Sequence, residues 1–158
     1  MVGSKRYTDY NSYLRQMFGQ RVQKIAVDAG LSCPNRDGTL SDKGCIYCNA
    51  KGSGTGLWQK GLSIKEQVDA KKIGAIKKYK ARLFLAYFQS FSNTYAPVEV
   101  LRQIYDQALS CEGMVGMAIG TRPDCVDETR LDLIASYTGE YLVWLEYGLQ
   151  SVHDQTLE

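Results

Sequence analysis

One histidine, three prolines and no long apolar run are the scarcities that first narrow this 158-residue sequence. No stretch of about 18 apolar residues occurs, the length a helix needs to cross a bilayer, so no membrane span is expected. The N-terminal MVGSKRYTDYNSYL has basic residues but no apolar core behind them. That argues against a secretory leader and makes the cytoplasm the expected compartment. Few prolines, with 44% hydrophobic and 23% charged residues, argue against broad disorder. An excess of one charge sign is also missing. A net charge of +2 neither requires a nucleic-acid partner nor rules one out, because a local basic patch can sit inside a near-neutral total. The length suits one domain with its own core.

Cysteine, by contrast, is present in an odd number, five. Without an export signal these are expected to be thiols, and clustered thiols in a reducing compartment usually serve metal or catalysis. Cys33, Cys45 and Cys48 fall within CPNRDGTLSDKGCIYC, spaced C-x11-C-x2-C. Thiolates are soft ligands suited to zinc and to iron–sulfur clusters. Structural zinc is closed by four protein ligands, whereas catalytic centres keep one position open. This loop holds no fourth cysteine, and the single histidine, His153, is far along the chain. Three cysteines can hold three irons of a 4Fe-4S cluster and leave the fourth free. A zinc knuckle would need His153 folded back, or a ligand from another chain. Cys111, at an expected helix end, and Cys125, beside TRPD, read as small buried residues.

The apolar pattern predicts β-α-β-α-β-α-β. VQKIAVDAG (Val22 to Gly30) reads as a first strand, and an irregular Gly-, Ser-, Asn- and Asp-rich stretch follows to Leu62. Ser63 with Glu66 three places on is a capping-box signature for a helix through the lysine-rich KKIGAIKKYK. Its Ile64, Val68, Ile73 and Ile76 are expected on one apolar face. RLFLAYF (Arg82 to Phe88), MVGMAIGT and EYLVWLEYG read as further buried strands. A helix opening at Pro97 and carrying Val100, Leu101, Ile104, Tyr105 and Ala108 is expected between the first two of these, and one over VDETRLDLIASYT between the last two. A further helix over Thr8 to Phe18 precedes them. Strands alternating with helices argue for a parallel α/β sheet. The expected organisation is an N-terminal helical extension (1–20) followed by the N-terminal half of a parallel (β/α) barrel (21–158), a partial TIM barrel truncated after about four strands. A lone parallel sheet ending on its fourth strand would leave an uncovered edge.

In such folds the loops at the carboxyl ends of the strands form the active face. The cysteine loop follows the first strand, YFQSFSNTYAP the second, IGTRPDC the third, and LEYGLQS lies at the fourth. Together, and in this order, these segments resemble radical S-adenosylmethionine (SAM) enzymes, with the usual C-x3-C-x2-C motif widened. They are most similar to a bacterial family related to the elongator-subunit-3 and oxygen-independent coproporphyrinogen oxidase group. The resemblance covers about Tyr10 to Glu158, and members run to roughly twice this length.

The resemblance implies a 4Fe-4S cluster on Cys33, Cys45 and Cys48, with the amino and carboxylate groups of SAM on the free iron. It further implies reductive cleavage of SAM to methionine and a 5′-deoxyadenosyl radical, an external electron donor of flavodoxin or ferredoxin type, and a role in tRNA wobble-uridine modification. Tyr47 matches the aromatic residue near the adenine. Asn93, Thr94 and Tyr95 stand where relatives bind the SAM amino group; no GGE-like triplet is present, and backbone carbonyls near Gln89 and Ser90 are the equal alternative. Gln150 matches the glutamine at the ribose. Arg122 and Asp124 are expected either to contact SAM or substrate or to form an ion pair capping the strand–helix junction. Glu146, if it points into the barrel, must be paired or neutral. The lysine-rich helix is a solvated face or, more sharply, a tRNA surface. The glycines of KGSGTG lack the spacing of a phosphate loop, and a flexible loop is expected. A small-molecule substrate, or a non-catalytic zinc-binding adaptor, remains the alternative.

Overall fold

The computed structural model describes residues 6–157. The first five residues of the expected extension, and Glu158, lie outside the described residues. Four parallel strands, β1 (Val22–Val27), β2 (Leu83–Phe88), β3 (Met114–Thr121) and β4 (Leu142–Tyr147), pair in the order β1-β2-β3-β4. β1 stops at Val27, short of the expected Gly30, because Asp28 begins the turn into the cysteine loop. Among the described residues β1 and β4 are the edge strands.

Alternation along the strands gives the sheet two apolar faces, as parallel strands require. Ile25, Val27, Phe84, Ala86, Phe88, Met117 and Ile119 face one way. There they pack with α2 (Ile64–Tyr79), α3 (Val98–Leu109) and α4 (Glu128–Ala135). Val22, Leu85 and Ala118 belong to a smaller cluster on the other face, covered by Leu14 of α1 (Tyr10–Phe18). Tyr10 and Tyr13 reach across to Trp144 on β4, with ring centroids 5.2 and 5.9 Å apart.

Local chemistry sets the helix starts. Asp9 caps α1 by accepting from the Ser12 amide, Ser63 and Glu66 form the reciprocal capping box of α2, and Asp127 caps α4 through the Arg130 amide. The buried stripe of α2 is Ile64, Gln67, Val68 and Ala75. Ile73 and Ile76 are 69% and 48% exposed, against expectation. At 100° per residue Ile73 lies about 140° from Val68, so apolar identity pointed away from the helix phase. Val100 on α3 is exposed for the same reason, one position ahead of the buried Leu101. No helix among the described residues is long and apolar enough to cross a membrane.

Candidate functional site

All four strands point their carboxyl ends at one cavity of about 330 Å³, within the size range of small-molecule sites. The longest contribution is the loop between β1 and α2, which carries the three cysteines. Its two ends are tied by one buried side chain. Gln67 of α2 accepts from the Asp28 amide at 2.9 Å and donates to the carbonyls of Asp28 and Leu62 at 2.8 and 3.1 Å. Inside the loop, the Arg36 and Gly44 amides each donate at 2.8 Å, to the carbonyls of Cys33 and Asn35, and the Cys48 amide donates to Cys45 at 2.9 Å. The Arg36 guanidinium donates to the carbonyls of Cys48 and Asn49 at 3.1 and 2.7 Å and lies 5.1 Å from the Phe91 ring centre. Phe91 has φ of +60°, a strained conformation for an aromatic residue, at the turn that follows β2.

KGSGTG is packed rather than loose. A Cβ on Gly52 would lie 2.6 Å from the Phe91 ring, and one on Gly54 would lie 1.7 Å from Ser90 Oγ. These glycines let the cysteine loop close onto the end of β2, which corrects the expectation of a flexible loop.

Cys33, Cys45 and Cys48 are free thiols, and all three line the cavity. Tyr47 stands with them, as do Gln89, Ser90 and Asn93 after β2, Arg122 after β3, Glu146 on β4 and Gln150 after it. Asp124 does not line the cavity. Its carboxylate takes a bidentate pair from Arg122, at 2.8 and 2.6 Å, and so orients the guanidinium. This contact holds the Asp124 carboxyl below its ordinary range and keeps Arg122 firmly protonated.

The Cys45 thiol is held below its usual pKa, first by the Tyr47 hydroxyl, then by the Asn35 amide and the charges of Arg122 and Arg36, against burial. Asn35 Nδ2 donates to Cys45 Sγ at 3.0 Å. Tyr47, pushed up to about 12 chiefly by the facing Cys45 thiol, keeps its proton. Cys111 and Cys125 are buried and do not line the cavity. Burial raises both of their pKa values, which favours inert thiols.

Below the rim, a hydroxyl chain fixes the β2–α3 turn to the end of β3. Thr94 Oγ1 gives its single proton to the Cys125 carbonyl at 2.7 Å. The 2.6 Å contact with Thr121 is therefore donated by Thr121, and the 3.1 Å contact between Ser92 and Thr121 by Ser92. Asn93, 1% exposed, donates Nδ2 to the Gly120 carbonyl at 2.9 Å, while its Oδ1 is buried and unpartnered. A buried acceptor without a donor is costly to leave in a folded protein. On the cavity wall it is left able to accept an N–H or O–H hydrogen bond.

Glu146 is paired. Lys24 reaches from the opposite edge strand to its Oε1 at 2.9 Å and lies 4.0 Å from the Tyr87 ring centre. Neither Lys24 nor Asn35 and Arg36 was singled out from the sequence as a site residue. A lysine in the middle of a short buried strand was the available signal for the first. For the other two it was their place inside the cysteine motif.

No protein-family profile matches the chain. It is similar to the uncharacterised protein YtqA of Bacillus subtilis strain 168, at 42% identity over 152 residues, and to YhcC of Escherichia coli K12, at 46% over 145. It is also similar to an uncharacterised protein of Methanocaldococcus jannaschii, at 37% over 155 residues. The alignments cover 96%, 91% and 96% of this chain but 47%, 46% and 47% of those proteins. The chain spans about half the length of the curated relatives it matches.

Proposed function

We propose that this chain forms the N-terminal part of a radical SAM enzyme, its parallel sheet being half of a (β/α) barrel and its cysteine loop the ligand set of a 4Fe-4S cluster. The observation that carries the reading is the meeting at one cavity of Cys33, Cys45 and Cys48 with Tyr47, Gln89, Asn93, Arg122, Glu146 and Gln150. These residues come from the ends of all four strands, the place where such folds keep their chemistry.

The donor set fits the cluster. Three soft thiols face one space, Cys45 is biased toward its thiolate, and cations and amide donors surround it. Among the described residues no group of three or more His, Cys, Asp or Glu is arranged to hold a single metal ion. A cluster asks for something different, since each thiolate binds its own iron. When bound, the cluster supplies the electron that cleaves SAM reductively to methionine and a 5′-deoxyadenosyl radical.

The protein's own groups bind and orient the cosubstrate. Asn93 Oδ1 accepts from its amino group, Arg122 attracts its carboxylate, and Gln150 takes the ribose hydroxyls, while Glu146, paired with Lys24, faces the substrate side. Tyr47 lies against the adenine. The substrate proposed is tRNA, at a wobble uridine, with a flavodoxin- or ferredoxin-type donor. This part rests on the resemblance of the four motifs. The cytoplasm is the compartment that goes with it.

Anaerobic reconstitution with iron and sulfide tests the reading. We expect about four irons per chain, the visible absorption of an iron–sulfur chromophore, and loss of both in Cys45→Ala. Dithionite and SAM should then yield 5′-deoxyadenosine, at a slow rate in a chain of this length. A colourless protein with stoichiometric zinc would replace this reading by the adaptor, and one with neither metal would sink both.

A further inference from the structure

Asn35 and Cys45 are ten positions apart in sequence and in contact in space. The turn that joins them is closed by its own backbone. The Arg36 amide donates to the Cys33 carbonyl, and the Asn35 carbonyl accepts from Gly44, each at 2.8 Å. Gly44 has φ of +73°, the left-handed conformation that glycine adopts freely, and a Cβ there would also press on the Arg36 guanidinium at 3.2 Å. With its backbone held on both sides, Asn35 makes, among the described residues, one side-chain hydrogen bond, the 3.0 Å contact from Nδ2 to Cys45 Sγ. That bond is not needed to close the loop, because Arg36 and Gln67 already do so. It acts on the sulfur.

We propose that Asn35 is a positioning residue for Cys45 that sets the reduction potential of the iron–sulfur cluster, by donating its amide N–H to the ligand sulfur. This rests on the reading of the cysteine loop given above. An amide donor withdraws electron density from a thiolate, and the hydrogen bond strengthens as the thiolate gains charge. One-electron reduction places part of the added charge on the ligand sulfurs, so a donor at the sulfur favours the reduced state and raises the potential. Removing the Asn35 side chain leaves the loop's backbone bonds and the cavity's charges in place.

The test compares wild-type chain with Asn35→Leu and Asn35→Asp, each reconstituted with iron and sulfide and titrated with dithionite under EPR. Iron content and the midpoint potential are the readouts, and neither depends on turnover. All three proteins should hold equal iron. The potential should shift negative in Asn35→Leu, where the donor is gone, and further in Asn35→Asp, where a carboxylate faces the sulfur. Equal potentials at equal iron content would overturn the proposal. So would loss of the cluster or of the fold in both variants, which would make Asn35 a scaffold residue of the loop. A wild-type chain that takes up no iron would instead remove the function reading, and this inference with it.

Discussion

Replacing Tyr105 by phenylalanine isolates one buried hydrogen bond beneath the site. The phenol of Tyr105 is fully buried and donates to the Asn93 carbonyl at 2.6 Å. Its ring packs against Phe88 and Tyr137, with centroids 5.2 and 6.2 Å away, and phenylalanine keeps these contacts. The substitution therefore removes a donor and leaves a buried carbonyl without it, at a cost of about 1–3 kcal/mol. For a domain of this size each kcal/mol lowers the melting temperature by about 2–4 °C, so a fall of about 2–12 °C is expected. Tyr137→Phe is the control. Its hydroxyl donates at the same 2.6 Å to Asp106 Oδ1, but at an exposed site where water can take over. That loss should be smaller than in Tyr105→Phe, because water replaces the donor at the Asp106 carboxylate. Thermal and urea unfolding followed by circular dichroism would measure both. An equal or larger loss in Tyr137→Phe would refute the reasoning, since it would mean that burial does not set the cost.

Gly116→Ala should break the pairing of β3 with β4. Its Cβ would lie 2.0 Å from the Leu142 carbonyl oxygen, a backbone atom that cannot rotate away, and a cost toward the upper end of about 1–3 kcal/mol is expected from urea unfolding. Acid should destabilise the fold through its capping carboxylates. The pKa of Asp127 is lowered chiefly by the Arg130 amide, and that of Glu66 chiefly by the Ser63 hydroxyl. Carboxyls depressed in the folded state contribute stability that is complete above their unfolded pKa, near 4, and is lost as pH falls through the folded value. Asp127→Asn keeps a capping acceptor but loses the charge that faces Arg130, so it should be less stable than wild type at pH 7, lose less between pH 5 and pH 3, and converge with wild type in acid. An unchanged acid slope would assign the loss to other groups.

Strand and helix positions were legible because they depend on local terms. Short, largely apolar runs set β2 and β3, and Ser63 with Glu66 set the start of α2. The C-x11-C-x2-C spacing was likewise enough to single out the three thiols. Periodicity failed at Ile73, Ile76 and Val100, because a helix does not announce which of its apolar residues meets the sheet. That choice is made by the packing of α2 and α3 on Ile25, Phe84 and Met117. Nothing in the order of residues shows that Lys24 meets Glu146, 122 positions away. Nor does it show that Gln67 closes the base of the cysteine loop, that Asn35 reaches the Cys45 sulfur, or that Asn93 keeps one acceptor unpartnered in the cavity wall. The sequence determined which chemical groups were available and on which strand ends they stood. The tertiary structure decided which of them share a charge, a proton or a cavity, because those relations depend on how parallel strands bring distant residues into register.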